Sequence, residues 1–448
     1  MKFYIPLACS VFLLFSPALA ETPIAAKQFP NLADIPDSSA ALQKQIDDNN
    51  GSLILKAGVY RITKTLTIDL KQKRSTIVRP ASGPVTIIMD GPGPAIQISG
   101  SHKGTGSPKS FEVATWNERM PIVEGIEIVG NHPEADGIAL FQTVEPIVSK
   151  VSVRWCRHGI HLITRNRNIT ISDCHLYENS GVGIYYDAVN IHQSNISNCH
   201  ISYNREGGIV VRDGNVRNVQ ISNCDLEGNM PATDVPTKAA NILLDVSGTP
   251  GDKSHSLAEV AITGCTIQHS SNYSGKDYDK LAPGGANIRI LGKKVWPIDS
   301  VTISGNVISD TSLNVEIVDA TDIAVTGNTF FAPNPDNLKI KDSKRIIVNG
   351  NTFNPRQFER PGRITLEGCQ DCIISNCTFR ALDTDGGTII LDKCERINLS
   401  ANIMAECKSG VLLKDSSDIS LSNWIVSGLP KGVEFLTQSG KCSNVNVK

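Results

Sequence analysis

Three things are scarce in this chain of 448 residues, and each scarcity removes a class of function. Charge of one sign is scarce: the formal net charge is −2 and the pI ≈ 6.5, so no global basic field draws in nucleic acid, and any polyanion binding has to be local. Long apolar runs are scarce: past the N-terminus no segment reaches the roughly 18 uninterrupted apolar residues that a membrane span needs. Aromatic residues are scarce at 5%, and no helical periodicity recurs along the chain.

What is present begins with a leader. Lys2, the apolar stretch "YIPLACSVFLLFSP" and the small-residue ending "ALA" before Glu21 read as an export signal over residues 1–20. The mature chain is therefore expected outside the cytoplasm, secreted or periplasmic. Residues 21–120 then read as an N-terminal cap and first coils, and 121–448 as repeats.

The repeat dominates the rest. The phrase "ITISDCHLYENSGVGIYYD" at 169 returns as "VQISNCDLEGN" at 219, "VAITGCTIQHS" at 260 and "VTISGNVISD" at 301. Aligned on "[I/V]-[S/T]-x-[C/N]", one column runs Asn131, Cys156, Cys174, Cys199, Cys224, Cys265, Asn306, Asn328, Asn351, Cys377, Asn402, Trp424. Most steps are 18 to 26 residues and two are 41. After each turn comes a second short strand, such as "GIHLI" at 159, "GIYYD" at 183, "GIVVR" at 208 or "NILLD" at 241. Units of this length, holding short strands and no helix, fit an all-β fold, a single parallel β-helix of about twelve coils stacked ~4.8 Å apart. Leucine-rich repeats share the period, but their fixed leucine spacing is absent. Cys and Asn interchange in the column because each coil sets the same inward corner over its neighbour. Side-by-side stacking predicts mostly free, buried thiols despite export. Residues 37–50 read as an amphipathic helix capped by Asp37 or Ser38, with Ala41, Leu42 and Ile46 on one face, closing the open end of the stack.

The helix, the following "GSLILKAGVYRI" and a dozen coils carrying "GI" strands resemble the pectate-lyase-like superfamily of right-handed parallel β-helix proteins, from about residue 37 to the C-terminus. The resemblance implies a right-handed solenoid with a groove along one sheet that engages an extended sugar polymer. It does not select among lyases, hydrolases, epimerases and binding proteins. Polygalacturonases of that superfamily carry "N-T-D-G", "D-D", "G-H-G" and "R-x-K". Here "EADGI" places Asp136 on the family aspartate and "RHGI" places His158 loosely on the histidine. The paired aspartates and "R-x-K" are absent, as is the "DPHD" of alginate epimerases.

In "G-I-x-Φ-x" the two x positions face outward. The first outward column reads Ala139, His161, Tyr185, Val210, Leu243, Arg289, Glu316, and the second Phe141, Ile163, Asp187, Arg212, Asp245, Leu291, Val318. His161, Tyr185, Asp187, Arg212 and Asp245 fall on four consecutive coils and are the candidate catalytic residues. Asp136, His158, Arg205, Glu206 and Arg289 are the candidate substrate-binding residues. Residues 154–217 hold seven arginines, no lysine and five of the nine histidines, which suits the carboxylate or sulfate groups of an acidic polysaccharide. Insertions at 230–240 and 270–285 would raise two adjacent loops beside this groove.

Two chemistries fit. β-Elimination of a uronic polymer needs a base and a cation on the carboxylate: Arg212 for the cation, Tyr185 or His161 for base or acid. Hydrolysis would use Asp187 and Asp245, two coils or ~9.6 Å apart, near the upper end of the ~6.5 to 9.5 Å of inverting enzymes. The alternative is a glycan-binding or structural β-helix without catalysis, in which the outward charges form an ion-pair ladder. No cofactor is called for. His132, His175, His192 and His200 lack metal-ligand spacing; a calcium bridging substrate to Asp187 or Asp245 stays open as an alternative, with Arg212 beside them against it.

Overall fold

The computed structural model describes Phe29, residues 31–72, 76–104, Lys109, 112–231, 236–248, 256–269, 282–356 and 361–448. The leader over residues 1–20 and the central parts of both insertions lie outside the described residues. The described residues form 39 strands in one continuous sheet, each strand pairing in parallel with the strand one coil away. The result is a right-handed solenoid of about 14 turns. Repeat counting finds fewer coils because the earliest ones, with strands Leu66–Asp69 and Gly93–Ser99, do not carry the repeated phrase.

The phrase itself is a corner. Its x position takes a left-handed conformation at Asp173 (φ 56), Asn198 (φ 55), Asn223 (φ 52) and Asn376 (φ 54), and at Gly264, Gly305, Gly327 and Gly350 (φ 64 to 65). Asn, Asp and Gly tolerate that conformation best, which is why they fill the slot. The chain turns sharply there, and the next side chain points into the core. Cys174, Cys199, Cys224, Cys265 and Cys377 are all buried at that position, alongside Asn306, Asn328, Asn351 and Asn402. The asparagines form an amide ladder: Asn306 Nδ2 donates to Asn328 Oδ1, and Asn328 Nδ2 to Asn351 Oδ1, both at 3.0 Å. All eleven described cysteines are free and ten are buried.

Two members of the predicted column belong elsewhere. Strand Ser152–Arg154 pairs with His175–Tyr177 so that Val151, not Cys156, lies beneath Cys174. Cys156 and Asn131 start a second column at the corner that leads into the "GI" strands. From Asn179 that column is a continuous run of buried amides. Nδ2 of Asn179, Asn204, Asn229, Asn241, Asn287 and Asn314 each donates to the Oδ1 of the next member at 2.7 to 2.9 Å, ending on Asn337.

This ladder explains why "GI" becomes "NI". A Cβ on Gly208 would come within 2.5 Å of Asn241 O and 2.9 Å of Asn229 Nδ2, because the corner amide already fills that space. From Asn241 onward the ladder amide is supplied by the strand position itself, so the glycine is no longer required.

The N-terminal helix spans Ser39–Asp48 and buries Ser39, Leu42 and Ile46 against the first strands. The N-cap position is Ser38, whose side chain makes no cap bond; Asp37, one residue earlier, accepts from the Ser39 amide through Oδ1 at 2.9 Å. Ala41 is exposed, and Ser39 takes the third inward place because its hydroxyl accepts from the Thr63 amide at 2.9 Å.

Candidate functional site

The outward columns of the "GI" sheet pair as the alternation predicts. His161 lies between Ala139 and Tyr185, Tyr185 pairs with Val210, and Asp187 with Arg212, which pairs with Asp245. On this face His161 and Tyr185 stack, with ring centroids 5.2 Å apart and planes 12° from parallel. His158, at the corner leading into the strand, packs 5.2 Å from His161 and 5.1 Å from Tyr185. His161 Nε2 lies 3.1 Å from Asp187 Oδ2, and Asp187 keeps 43% of its side chain exposed.

Protonation states follow from the surroundings. His158 Nδ1 accepts from the Val182 amide at 3.1 Å, which fixes the neutral tautomer protonated on Nε2. Burial pushes its pKa down to about 4, against the pull of Asp136. Tyr185 is pushed up to about 12, first by burial and then by the Asp187 charge, with Arg212 opposing and Glu206 adding to the rise. Tyr185 thus keeps its proton near neutral pH: of the two roles open to it, donor fits and base does not. His161, paired with a carboxylate on one edge, is the base this geometry offers. Arg212 is exposed one coil above Asp187, and among the described residues it forms no ion pair within 4.0 Å. Its guanidinium is open to an anionic group on a ligand.

The remaining candidates divide. Glu206 is exposed and close enough to raise both Tyr185 and Arg157. Arg205 is half-buried with Nη1 unpartnered. Asp136 does not face a ligand: only 4% of its side chain is exposed, both oxygens take the Arg157 fork at 2.9 and 2.6 Å, and Oδ1 also accepts from the His158 amide. It positions Arg157 and His158. Asp245 Oδ1 is held by the amide and hydroxyl of Ser247 at 2.9 and 2.6 Å, which makes it a turn former at the edge of the groove.

Arg289 is a correction. It is 3% exposed, with Nε on Glu316 at 2.6 Å, Nη1 on Ala239 O at 3.5 Å and Nη2 on Gly284 O. The feet of the two insertions pack over it. Thr237 N donates to Pro283 O at 2.8 Å, and Met230, Ala239 and Ala282 form their own apolar cluster. Val210 and Leu243, outward on the strand, are buried in an apolar cluster with Val182, Ala240, Ala286 and Leu313. The adjacent loops were expected, but at their feet they roof this part of the sheet, whereas a wall beside it was predicted.

Below the cluster the groove opens into a cleft of ≈ 460 Å³ lined by Asp69, Lys71, Gln97, Ser99, Phe141 and Ile163, among others. Register makes it continuous with the site: Gln97 pairs with Ala139 beside His161, and Ser99 with Phe141 beside Ile163. Arg157 and the Asp69, Lys71, Gln97 and Ser99 side of this cleft are absent from the sequence-based candidates. Arg157 could have been found as the cation beside "HGI". The cleft residues lie on coils without the repeated phrase and offered no signal. Among the described residues no group of three or more His, Cys, Asp or Glu side chains could hold a metal ion, and no helix is long and apolar enough to cross a membrane.

No curated protein matches the chain. Among solved structures, the chain is similar to tailspike protein 3 of bacteriophage CBA120, with 12% identity and a TM-score of 0.53 over 97% of this chain and 63% of that one. The chain thus spans less than two thirds of that protein. It is also similar to a point mutant of the tailspike of E. coli bacteriophage HK620 in complex with a pentasaccharide, with 14% identity and a TM-score of 0.51 over 92% and 77% of the two chains. At this identity the likeness concerns the fold. The model of the right-handed β-helix region matches residues 86–248 and 288–448, well over half of the chain. The chain belongs to the right-handed β-helix family.

Proposed function

We propose that this protein is exported and cleaves an acidic polysaccharide in the groove of the "GI" sheet by β-elimination. The observation that carries the reading is the His161 imidazole, 3.1 Å from Asp187 and stacked on Tyr185, with the exposed charge of Arg212 one coil beyond Asp187 and two coils from His161. In the step proposed, Arg212 pairs with the uronate carboxylate and stabilises the charge that builds up as the neighbouring proton leaves. His161 accepts that proton, and Asp187 stabilises the imidazolium that results. The electron pair left on carbon forms the new double bond and expels the glycosidic oxygen, which takes the proton of Tyr185. The tyrosinate so formed regains a proton from solvent or from His161.

Elimination is favoured over hydrolysis because Asp245, the second carboxylate hydrolysis would use, is engaged with its own turn. The pentasaccharide bound by a structurally similar tailspike supports a carbohydrate ligand without selecting the chemistry. Glycan binding without cleavage is a second reading, and the open cleft beside the cluster favours it, since a glycan could lodge there without touching His161. Incubation with a panel of uronic and sulfated polymers separates the readings. Ultraviolet absorbance from unsaturated uronate supports elimination, new reducing ends without that absorbance point to hydrolysis, and binding with neither leaves a binder.

A further inference from the structure

The seven arginines of residues 154–217 do not share one surface. Arg154 is spent on Glu127 and Arg157 on Asp136. Three others meet on a different face. After each "GI" strand the chain bends, at Thr164 (φ 62) and Asn168 (φ 52) on one coil and at Ala188 and Gln193 on the next. The short corner segment between the bends presents two outward positions per coil. The first reads Arg165, Asn190, Asn215, and the second Arg167, His192, Arg217. Arg167 pairs in register with His192, and His192 with Arg217, so three basic side chains stack at the ~4.8 Å spacing of the strands.

Arg167 and Arg217 lie on either side of His192, two coils apart, and Arg165 lies opposite Asn190, so three guanidinium groups gather on this ridge beside two carboxylates. Glu259 takes Arg217 Nη1 at 3.0 Å, and Glu145 lies near Arg167. Arg165 gives Nη1 to a backbone carbonyl, that of Gly104. The positive field of the ridge adds to burial at the imidazoles: burial and the charges of Arg217, Arg167 and Arg165 push His192 down, with Glu259 opposing, while burial, Arg165 and Arg167 push His102 down to about 4. This ridge lies along the same three coils that carry His161, Tyr185 with Asp187, and Arg212, on the edge of the groove opposite the insertion loops.

We propose that the ridge of Arg165, Arg167, His192 and Arg217 is a second anion-binding strip, which holds the sulfate or carboxylate groups of a polyanionic glycan alongside the groove. The inference builds on the groove as the carbohydrate site but adds a surface that the cleavage step does not use. A planar guanidinium fork binds an oxyanion through paired N–H groups, and an anion on this ridge offsets the positive field that the three arginines set up around His192. The strip also links binding to protons: a bound anion favours the imidazolium of His192, so affinity rises as pH falls through the titration of that residue.

The probes are heparin, polygalacturonate, neutral dextran and duplex DNA, with binding followed by calorimetry at several salt concentrations. The Arg165→Gln/Arg167→Gln protein is expected to lose at least about tenfold in affinity for heparin or polygalacturonate and to show a shallower salt dependence, with dextran bound by neither protein. Where those substitutions prevent folding, the unmodified protein gives the second readout: a heparin oligosaccharide should shift the His192 titration upward by NMR. Unchanged polyanion affinity in the double variant, or an unmoved His192, overturns the strip and leaves the groove reading intact. Loss of affinity in the double variant with no turnover of any polymer by the unmodified protein keeps the strip and rejects the cleavage. Duplex DNA bound as tightly as heparin overturns the glycan assignment.

Discussion

Replacing Asn204 with alanine removes one link from the amide ladder that holds the corner before the "GI" strands. Its Oδ1 accepts from Asn179 Nδ2 at 2.7 Å and from the Asn179 amide at 3.3 Å, while its Nδ2 donates to Asn229 Oδ1 at 2.7 Å and to Leu176 O at 3.0 Å. Asn204 is fully buried, so no water reaches the groups it leaves behind. Asn229 Oδ1 keeps a donor in the Asn204 amide, but the backbone amide of Asn179 and one N–H of its Nδ2 lose their acceptor, the other N–H keeping Val153 O at 3.4 Å. At about 1 to 3 kcal/mol for each unsatisfied buried group, the loss is about 2 to 6 kcal/mol, against about 0.5 kcal/mol or less for Asn195→Ala on the exposed face of a strand. Denaturant unfolding followed by circular dichroism measures both, and because stacked repeats need not unfold in one step, the first transition is the one to compare. Arg205 and Glu206 follow Asn204 directly, so the same variant should also weaken whatever the groove binds. A loss below about 1 kcal/mol would refute the reasoning: the ladder would then be filling space without holding the corner.

Three further outcomes follow from the same geometry. His158 is buried neutral with its pKa down at about 4, so between about pH 6.5 and 4 the unfolded chain binds more protons than the folded one. Stability is therefore fully present above about pH 6.5 and is lost as pH falls to about 4, by up to about 3 kcal/mol, and His158→Gln should flatten that part of a pH series of unfolding midpoints. Tyr185→Phe keeps the ring stacked on His161 but deletes the proton donor, so kcat on the polymer chosen by the panel should fall by about 10²-fold or more while binding persists. Thiol titration of unreduced protein lacking residues 1–20, and with them Cys9, should count eleven cysteines in denaturant and about one, the half-exposed Cys442, in the folded state; a count near one in denaturant would mean that the stacked cysteines are paired.

The outward columns were legible because side chains in a strand alternate with a period of two and the repeat fixes the register, so every pairing from Ala139 to Glu316 and from Phe141 to Val318 is the one observed. The corner was legible because left-handed backbone restricts residue choice. Misplacing Asn131 and Cys156 has a physical origin: two corners in each coil accept a small inward polar or thiol side chain, and composition does not distinguish them. What covers a face was not legible at all. Val210, Leu243 and Arg289 read as outward and are outward on their strands, but the first two are buried in an apolar cluster and the feet of the insertions lie over the third. The division of the arginines was hidden for a related reason. Arg165 and Arg212 are both outward, and the bend at Thr164 turns the first onto a different face.

The account stands on His161, Asp187, Tyr185 and Arg212 acting as one site across neighbouring coils, and the most direct test is the ultraviolet signal of unsaturated uronate from the unmodified protein, Arg212→Gln and His161→Ala on the same polymer. The account predicts a steady rise from the first and at least about a hundredfold slower rise from each variant, with both variants folded. Equal rates in all three, or a polymer cut with no unsaturated product, would contradict it.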